Sequence, residues 1–307
     1  MHCPVCSSSY TRTIKAYACI NDFFKGKEVR ECVDCCMQYI HPMPNEKEWD
    51  EYNSSYFQNA HDGLITSPWI WAYNCGVAKI RFHWLLEHLK FAQINVRSIL
   101  EIGPGQGFLM REWLAKHPDT EYYVVESDST THKELSSTGG VIISPDQIQT
   151  IGSVDLVIAT HVIEHTLKPV DFMKYYCSIL RPDGGVFIEA PCRDHLYKNI
   201  YEPHVQFFEK TSLSACFDAV GLTKHNITYS GDRIKAVRRN ALIRKILVKL
   251  QRRTRLPFNI FLGSYWPNRS KYKLSASEAL AIVETSPHIH QDEQARWIRG
   301  FAQKVKT

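Results

Sequence analysis

Four of the ten cysteines in this 307-residue chain fall into two CxxC pairs, Cys3-Pro4-Val5-Cys6 and Cys32-Val33-Asp34-Cys35, separated by 25 residues. A CxxC turn aims two thiolates at one point, and two such turns complete a tetrahedral zinc shell with no open position. Such a site is structural. The intervening segments, Tyr10 to Tyr17 and Val29 to Glu31, read as ribbon strands with too few large aliphatic residues to fold alone, so a bound Zn2+ would supply the missing stability. Cys36 competes with Cys35 as a ligand, Cys19 has no partner at useful spacing, and a CxxC pair also fits dithiol redox chemistry.

A second set of residues suits a nucleotide-like ligand. Gly103, Gly105 and Gly107 alternate after the apolar run Ile99 to Ile102, and glycine there permits positive φ and close approach of backbone N–H groups to a ligand. The spacing is GxGxG rather than the GxGxxG of dinucleotide folds. Glu126 follows Gly107 by 19 residues, about where a doubly wound fold puts the acid that binds a ribose diol. Asp146 follows the next short apolar run. Further on lie His161, Glu164 and His165, whose types could suggest a metal cluster. Glu189, in an apolar run, reads as a satisfied core acid, and Tyr201 and His204 stand in a loop that could carry a base.

These residues need elements to hold them. A Pro-rich junction at His41 to Pro44 is followed by two lead-in helices, over Asn45 to Tyr56 and Val77 to Phe91. Strands then alternate with helices: Ile99 to Ile102, Glu121 to Val125, Val141 to Ile143, Val154 to Ala159 and Val186 to Ala190, with Pro182-Asp183-Gly184-Gly185 as a turn before the last. That alternation implies a Rossmann-like α/β fold, a doubly wound parallel sheet with helices on both faces. Ile227 to Tyr229 and Ile234 to Val237 could add antiparallel strands to reach seven. Residues 240–250 form a basic amphipathic helix pattern, Ser275 to Glu278 a capping box, and Gln291 to Val305 reads as a final helix carrying Trp297 and Phe301. The expected organisation is a ribbon over 1–44, lead-in helices over 45–96, a core over 97–237 and a basic helical extension over 238–307.

From Ile80 to Ser230 the chain resembles the class I methyltransferases that use S-adenosylmethionine. Leu100 to Gly107 is similar to that family's first motif, Val162 to His165 to its segment after the fourth strand, and Leu180 to Ile188 to its "L-x-P-G-G" turn and fifth strand. The resemblance implies cofactor contacts from Glu101, Gly103, Gly105, Gly107, Glu126, Asp146 and Thr160. It implies that His161, Glu164 and His165 shape the pocket or cap the next helix instead of holding a metal. Methyltransferases that pair an amino-terminal zinc ribbon with this core, many acting on nucleotide-linked sugars or glycans, carry a "Y-x-E-H-x-x-x-F" segment with an active-site His. Tyr201 and His204 match it, Pro203 stands at the family's Glu, and Glu202 lies one residue earlier. His204 and Tyr201 are thereby implied as catalytic residues, His204 as general base or substrate contact, with a His that only ties the loop to the core as the alternative.

Composition bounds the remainder. The net charge is +5, but residues 238–255 hold eight Lys and Arg and no acid, so the rest of the chain stands at −3. That segment suits packing on the domain or a second subunit, contact with an anionic membrane surface, or, less readily, nucleic acid. No apolar run approaches the ~18 residues that cross a bilayer, and the first residues lack a signal-peptide pattern. The expectation is a cytoplasmic enzyme, with peripheral contact to the inner face of a membrane as one use of residues 238–255. The small-molecule or glycan acceptor is opposed by two other readings, a zinc-finger RNA methyltransferase and a non-catalytic assembly module.

Overall fold

The computed structural model describes residues 2–52, 68–233 and 294–305. Its main sheet has seven strands in the order β10-β11-β8-β7-β4-β5-β6. Here β4 is Ser98–Ile102, β5 Glu121–Val125, β6 Gly140–Ile142, β7 Val154–Thr160, β8 Leu180–Pro191, β10 Lys224–Arg233 and β11 Ala295–Gln303. The five strands from β4 to β8 pair in parallel, while β11 is antiparallel to both β8 and β10. Continuous burial along β4 and over nearly all of β7 explains their apolar, β-branched runs, since a central parallel strand is covered on both faces.

Helices cover the two faces. On one side α2 (Pro68–Phe91), α3 (Phe108–Leu114) and α4 (His132–Thr138) bring Trp84, Leu85, Leu109, Trp113 and Leu135 against Ile99, Val124, Ile158 and Phe187. On the other, α5 (Pro169–Cys177) and α6 (Lys210–Ala219) bring Met173, Tyr176, Leu213 and Phe217 against Leu100, Val157, Val186 and Ile188. The alternation of facing residues along each strand follows from the period of two.

Two expectations are corrected. Residues 295–303 form a strand, not the expected final helix. Trp297 and Phe301 are four apart, a spacing that puts them on one face of a helix and equally on one face of a strand. The slot between β8 and β10, which offers hydrogen bonds on both sides, decides it. Gly300 suits the slot, because a Cβ there would come within 2.6 Å of the Phe217 ring on α6. The turn expected at Pro182 to Gly185 is instead an irregularity inside β8: register passes from Val154↔Leu180 to Leu156↔Gly185, with Asp183 at a φ of +66°. Asp183 N–H donates to the Lys304 carbonyl, and Lys304 N–H to that of Gly184, so the chain's last described residues close this bulge.

The amino-terminal residues form a smaller antiparallel sheet in the order β1-β2-β3-β9, with β1 Thr11–Ala16, β2 Glu28–Cys32 and β3 Gln38–His41. Its fourth strand comes from far along the chain. Gln206–Phe207 (β9) pairs with Tyr39 and Gln38, so the ribbon is extended by the loop that follows β8. A helix over 46–52, α1, packs Trp49 and Tyr52 with Tyr17, Phe24, Ile40, Tyr201 and Phe207 in one largely aromatic core. The sequence-predicted strand over Ile234 to Val237 and the segments at 240–250 and 275–278 lie outside the described residues. Among the described residues no helix is long and apolar enough to cross a membrane.

Candidate functional site

The glycine turn leaves β4 at the carboxyl edge of the parallel strands. Gly103, Gly105 and Gly107 all have positive φ, at +63°, +55° and +69°. Their surroundings differ. A Cβ on Gly103 would lie 2.6 Å from Val162, and one on Gly107 would strike Leu135, whereas one on Gly105 meets nothing within 4 Å. Gly103 and Gly107 therefore serve packing, and Gly105 borders open space where a ligand can approach. The Glu126 carboxylate sits beside it, accepting the Gly105 N–H at 2.8 Å and the Asp128 N–H at 2.9 Å. An acid and a bare backbone facing open space fit the ribose side of an adenosyl cofactor.

Other residues expected to bind the cofactor are placed as follows. Asp146 is exposed in the 3-10 turn after β6, whose N-cap is Ser144. Thr160 is half-buried at the end of β7. Glu101 is buried inside β4, where Tyr122 Oη donates to its carboxyl at 2.7 Å, and burial pushes its pKa up to about 7. It thus lies behind the turn.

Val162, against which Gly103 packs, belongs to the segment after β7 that carries His161, Glu164 and His165. His161, at a φ of +57°, has one ring nitrogen 3.4 Å from the Glu164 carboxylate and the other 3.2 Å from that of Glu189. Burial opposes charge on this ring, but the two carboxylates outweigh it and hold its pKa above the usual histidine value. Glu189 is fully buried and also bound by Arg81 from α2 and by Arg299 from β11, its directly opposed register partner. It is a core acid satisfied by three cations. Burial raises its pKa, yet Arg299 and Arg81 hold it well below the ordinary value.

The loop after β8 supplies the next group. His204 is 8% exposed, and its Nδ1 lies 2.6 Å from a carboxylate oxygen of Asp194, which Lys198 Nζ also approaches to 2.6 Å. Burial works against ionisation of Asp194, but His204 and Lys198 keep its pKa well below the usual range. The His165 ring stands edge-on to that of His204 at 4.9 Å, and burial pushes its pKa down to about 4. Tyr201 is also buried, its ring packed among Tyr17, His195 and Phe207 with Lys15 Nζ 4.8 Å from its centre.

Residues 78–227 match the family model described as a methyltransferase domain. The chain is an enzyme, and its residues 78–227 are similar to a methyltransferase domain. That domain contains the glycine turn, Glu126, the His161 to His165 segment, Asp194 and His204. No curated protein matches the sequence. Among solved structures, the plantazolicin methyltransferase BpumL bound to a monoazolic analogue and SAH is similar at 11% identity, covering 85% of this chain and 97% of that one, with a TM-score of 0.47. A SAM-dependent methyltransferase from Archaeoglobus fulgidus is 14% identical over 74% of this chain and 94% of its own, at a TM-score of 0.46. A possible histamine N-methyltransferase from Thermotoga maritima is 12% identical over 83% and 97%, at 0.45.

Ahead of the methyltransferase domain, the two CxxC pairs meet. Cys3, Cys6, Cys32 and Cys35 bring their sulfurs within 4.8 Å of one another, with Cys3 to Cys35 and Cys6 to Cys32 both at 3.5 Å. A disulfide needs about 2.05 Å. Four thiolates around one ion at ~2.3 Å stand about 3.8 Å apart, so the set fits a closed zinc shell. Cys35's thiol donates toward Cys3, which lowers the Cys3 pKa to about 5 and raises that of Cys35, so the two share a proton. The backbone then ties this ribbon to the methyltransferase domain: Tyr201 N–H donates to the Ala18 carbonyl, Ile40 N–H to Val205, and Tyr17 Oη to the His204 carbonyl at 2.9 Å. Glu202 accepts the N–H groups of Ile20 and Asn21.

Sequence reading singled out His204 but gave Asp194 no role, although an Asp ten residues before a His on one loop was a usable signal. Arg299 had none, lying 110 residues from Glu189.

Proposed function

We propose that this enzyme transfers a methyl group from S-adenosylmethionine to a hydroxyl or carbon acid of a small metabolite, with a sugar or glycan as the acceptor class. The observation that carries the reading is the contact between Asp194 and His204 Nδ1 at the carboxyl edge of the sheet, on the loop that follows β8. Ligands bind at that edge in open α/β sheets.

The cofactor supplies a methyl group on a positively charged sulfur. The chain's own residues supply alignment, worth several kcal/mol when donor and nucleophile are held in line. Gly105 and Glu126 would receive the ribose, Asp146 the adenine side, and Glu101, Gly103, Gly107 and Thr160 would shape the methionine side. With Nδ1 engaged by Asp194, His204 has Nε2 left to take the acceptor's proton as general base. Tyr201 would serve by holding that loop rather than by touching the proton, since its ring is packed in the aromatic core. Zn2+ in the four-cysteine shell would hold the ribbon against the same loop. The glycan class is supported by the order ribbon, core and Tyr201/His204 segment. A cytoplasmic enzyme is the reading we adopt; residues 238–255, outside the described residues, suit packing on the domain or a second subunit first and contact with an anionic membrane surface second.

Calorimetric titration with S-adenosylmethionine tests the donor, and no binding overturns the proposal. Glu126→Ala should weaken binding, while His204→Ala should spare it and lower transfer of labelled methyl to a panel of sugar nucleotides. Salt-sensitive RNA binding with methylation of RNA, or cofactor binding with no turnover, would each replace this reading.

A further inference from the structure

Glu164, His165 and His204 bring one ligand atom each to within 4.8 Å of one another, on two segments 39 residues apart at the nearest. Two imidazoles and a carboxylate form the donor set of an open transition-metal site, and it differs from the closed four-thiolate shell in the ribbon. The Glu164 side chain is 1% exposed, and neither carboxylate oxygen has a hydrogen-bond partner. Two imidazole nitrogens face it, His161 Nδ1 at 3.4 Å and His165 Nε2 at 4.0 Å. A buried carboxylate without hydrogen bonds costs free energy unless a cation compensates it, and the imidazole that faces it, His161, is shared with Glu189. Asp194 on His204 Nδ1 is the arrangement that fixes a metal-binding imidazole, leaving Nε2 as the ligand. The Val205 N–H donates to the Glu164 carbonyl at 3.0 Å, so the two segments are fastened next to the donors.

We propose that Glu164, His165 and His204 bind one divalent transition-metal ion of the Zn2+ or Co2+ class. Two imidazoles disfavour Mg2+ and Ca2+, which take oxygen ligands. The His161 and His165 side chains, about one third exposed, give the ion access from solvent. The inference rests on the proposed function only for its consequence: an ion on His204 occupies the lone pair that general-base chemistry needs, so occupancy and proton acceptance exclude each other.

The test uses the full chain with its cysteine shell first filled by Zn2+, titrated with Co2+ and followed by visible absorption and calorimetry. One further Co2+ per chain should bind, with weak bands of nitrogen and oxygen ligation and no thiolate-to-metal charge transfer. Affinity should fall about tenfold or more in His165→Asn and in Glu164→Gln. A wild-type chain that takes up no Co2+ beyond the cysteine shell overturns the site, as do unchanged affinities in both variants. Binding of S-adenosylmethionine is measured separately, so a chain that binds Co2+ but not the cofactor sinks the proposed function and leaves the metal site standing.

Discussion

The phenolic hydroxyl of Tyr17, in the ribbon, donates at 2.9 Å to the main-chain carbonyl of His204, 187 residues later. The ribbon is therefore part of the wall that holds the loop, through this bond, the β3–β9 pairing and the Glu202 contacts. Tyr17→Phe removes one hydrogen bond, worth about 1 kcal/mol, and leaves the aromatic packing. Turnover should fall roughly fivefold while the dissociation constant for S-adenosylmethionine stays put. A weakened cofactor affinity would instead mean that the ribbon acts on the whole domain.

Asp194→Asn keeps the shape of the side chain and removes its charge. If Asp194 orients His204 and stabilises its protonated form, kcat should drop on the order of 100-fold with little change in the KM for the cofactor. Equal kcat in the variant would remove Asp194 from the mechanism.

Glu101 gives a pH signature. Its pKa in the folded chain is raised to about 7 by burial, against 4.5 for the ordinary group. The folded state thus binds the proton more tightly, so this group's contribution is fully present below pH 4.5 and is lost as pH rises through 7. Glu101→Gln keeps a neutral acceptor for Tyr122. Relative to wild type it should gain about 2–3 kcal/mol of stability between pH 4.5 and pH 8. Urea denaturation at the two values checks it, and a difference independent of pH contradicts it.

Arg299→Leu should cost about 3–5 kcal/mol, because it strips one cation from a carboxylate that is fully buried. The double variant with Glu189→Gln should recover part of that loss. Denaturation midpoints of the two variants decide the matter, and an Arg299→Leu chain as stable as wild type would show that Arg81 and His161 suffice.

Much of the fold was legible in the sequence because its signals are short-range. Alternate glycines after an apolar run specify a strand, a turn and a helix within ten residues, and the βα alternation implies a parallel sheet. The irregularity at Asp183 was misread as a turn because Pro-Asp-Gly-Gly has turn chemistry. Its place inside β8 depends on pairing with Lys304 across the sheet.

By itself, then, the sequence determined the two CxxC turns, the glycine turn and the strands from β4 to β8, each encoded by spacings of a few residues. Tertiary structure alone decided the strand state of residues 295–303, where a four-residue spacing suits both periods and the open slot between β8 and β10 selects one. It also decided which charged groups meet. Glu189 finds Arg299, His204 finds Asp194 and Tyr17, and Glu164 and His165 meet His204, because the strands deliver their carboxyl ends to one edge. Those distances in space bear no relation to distance along the chain.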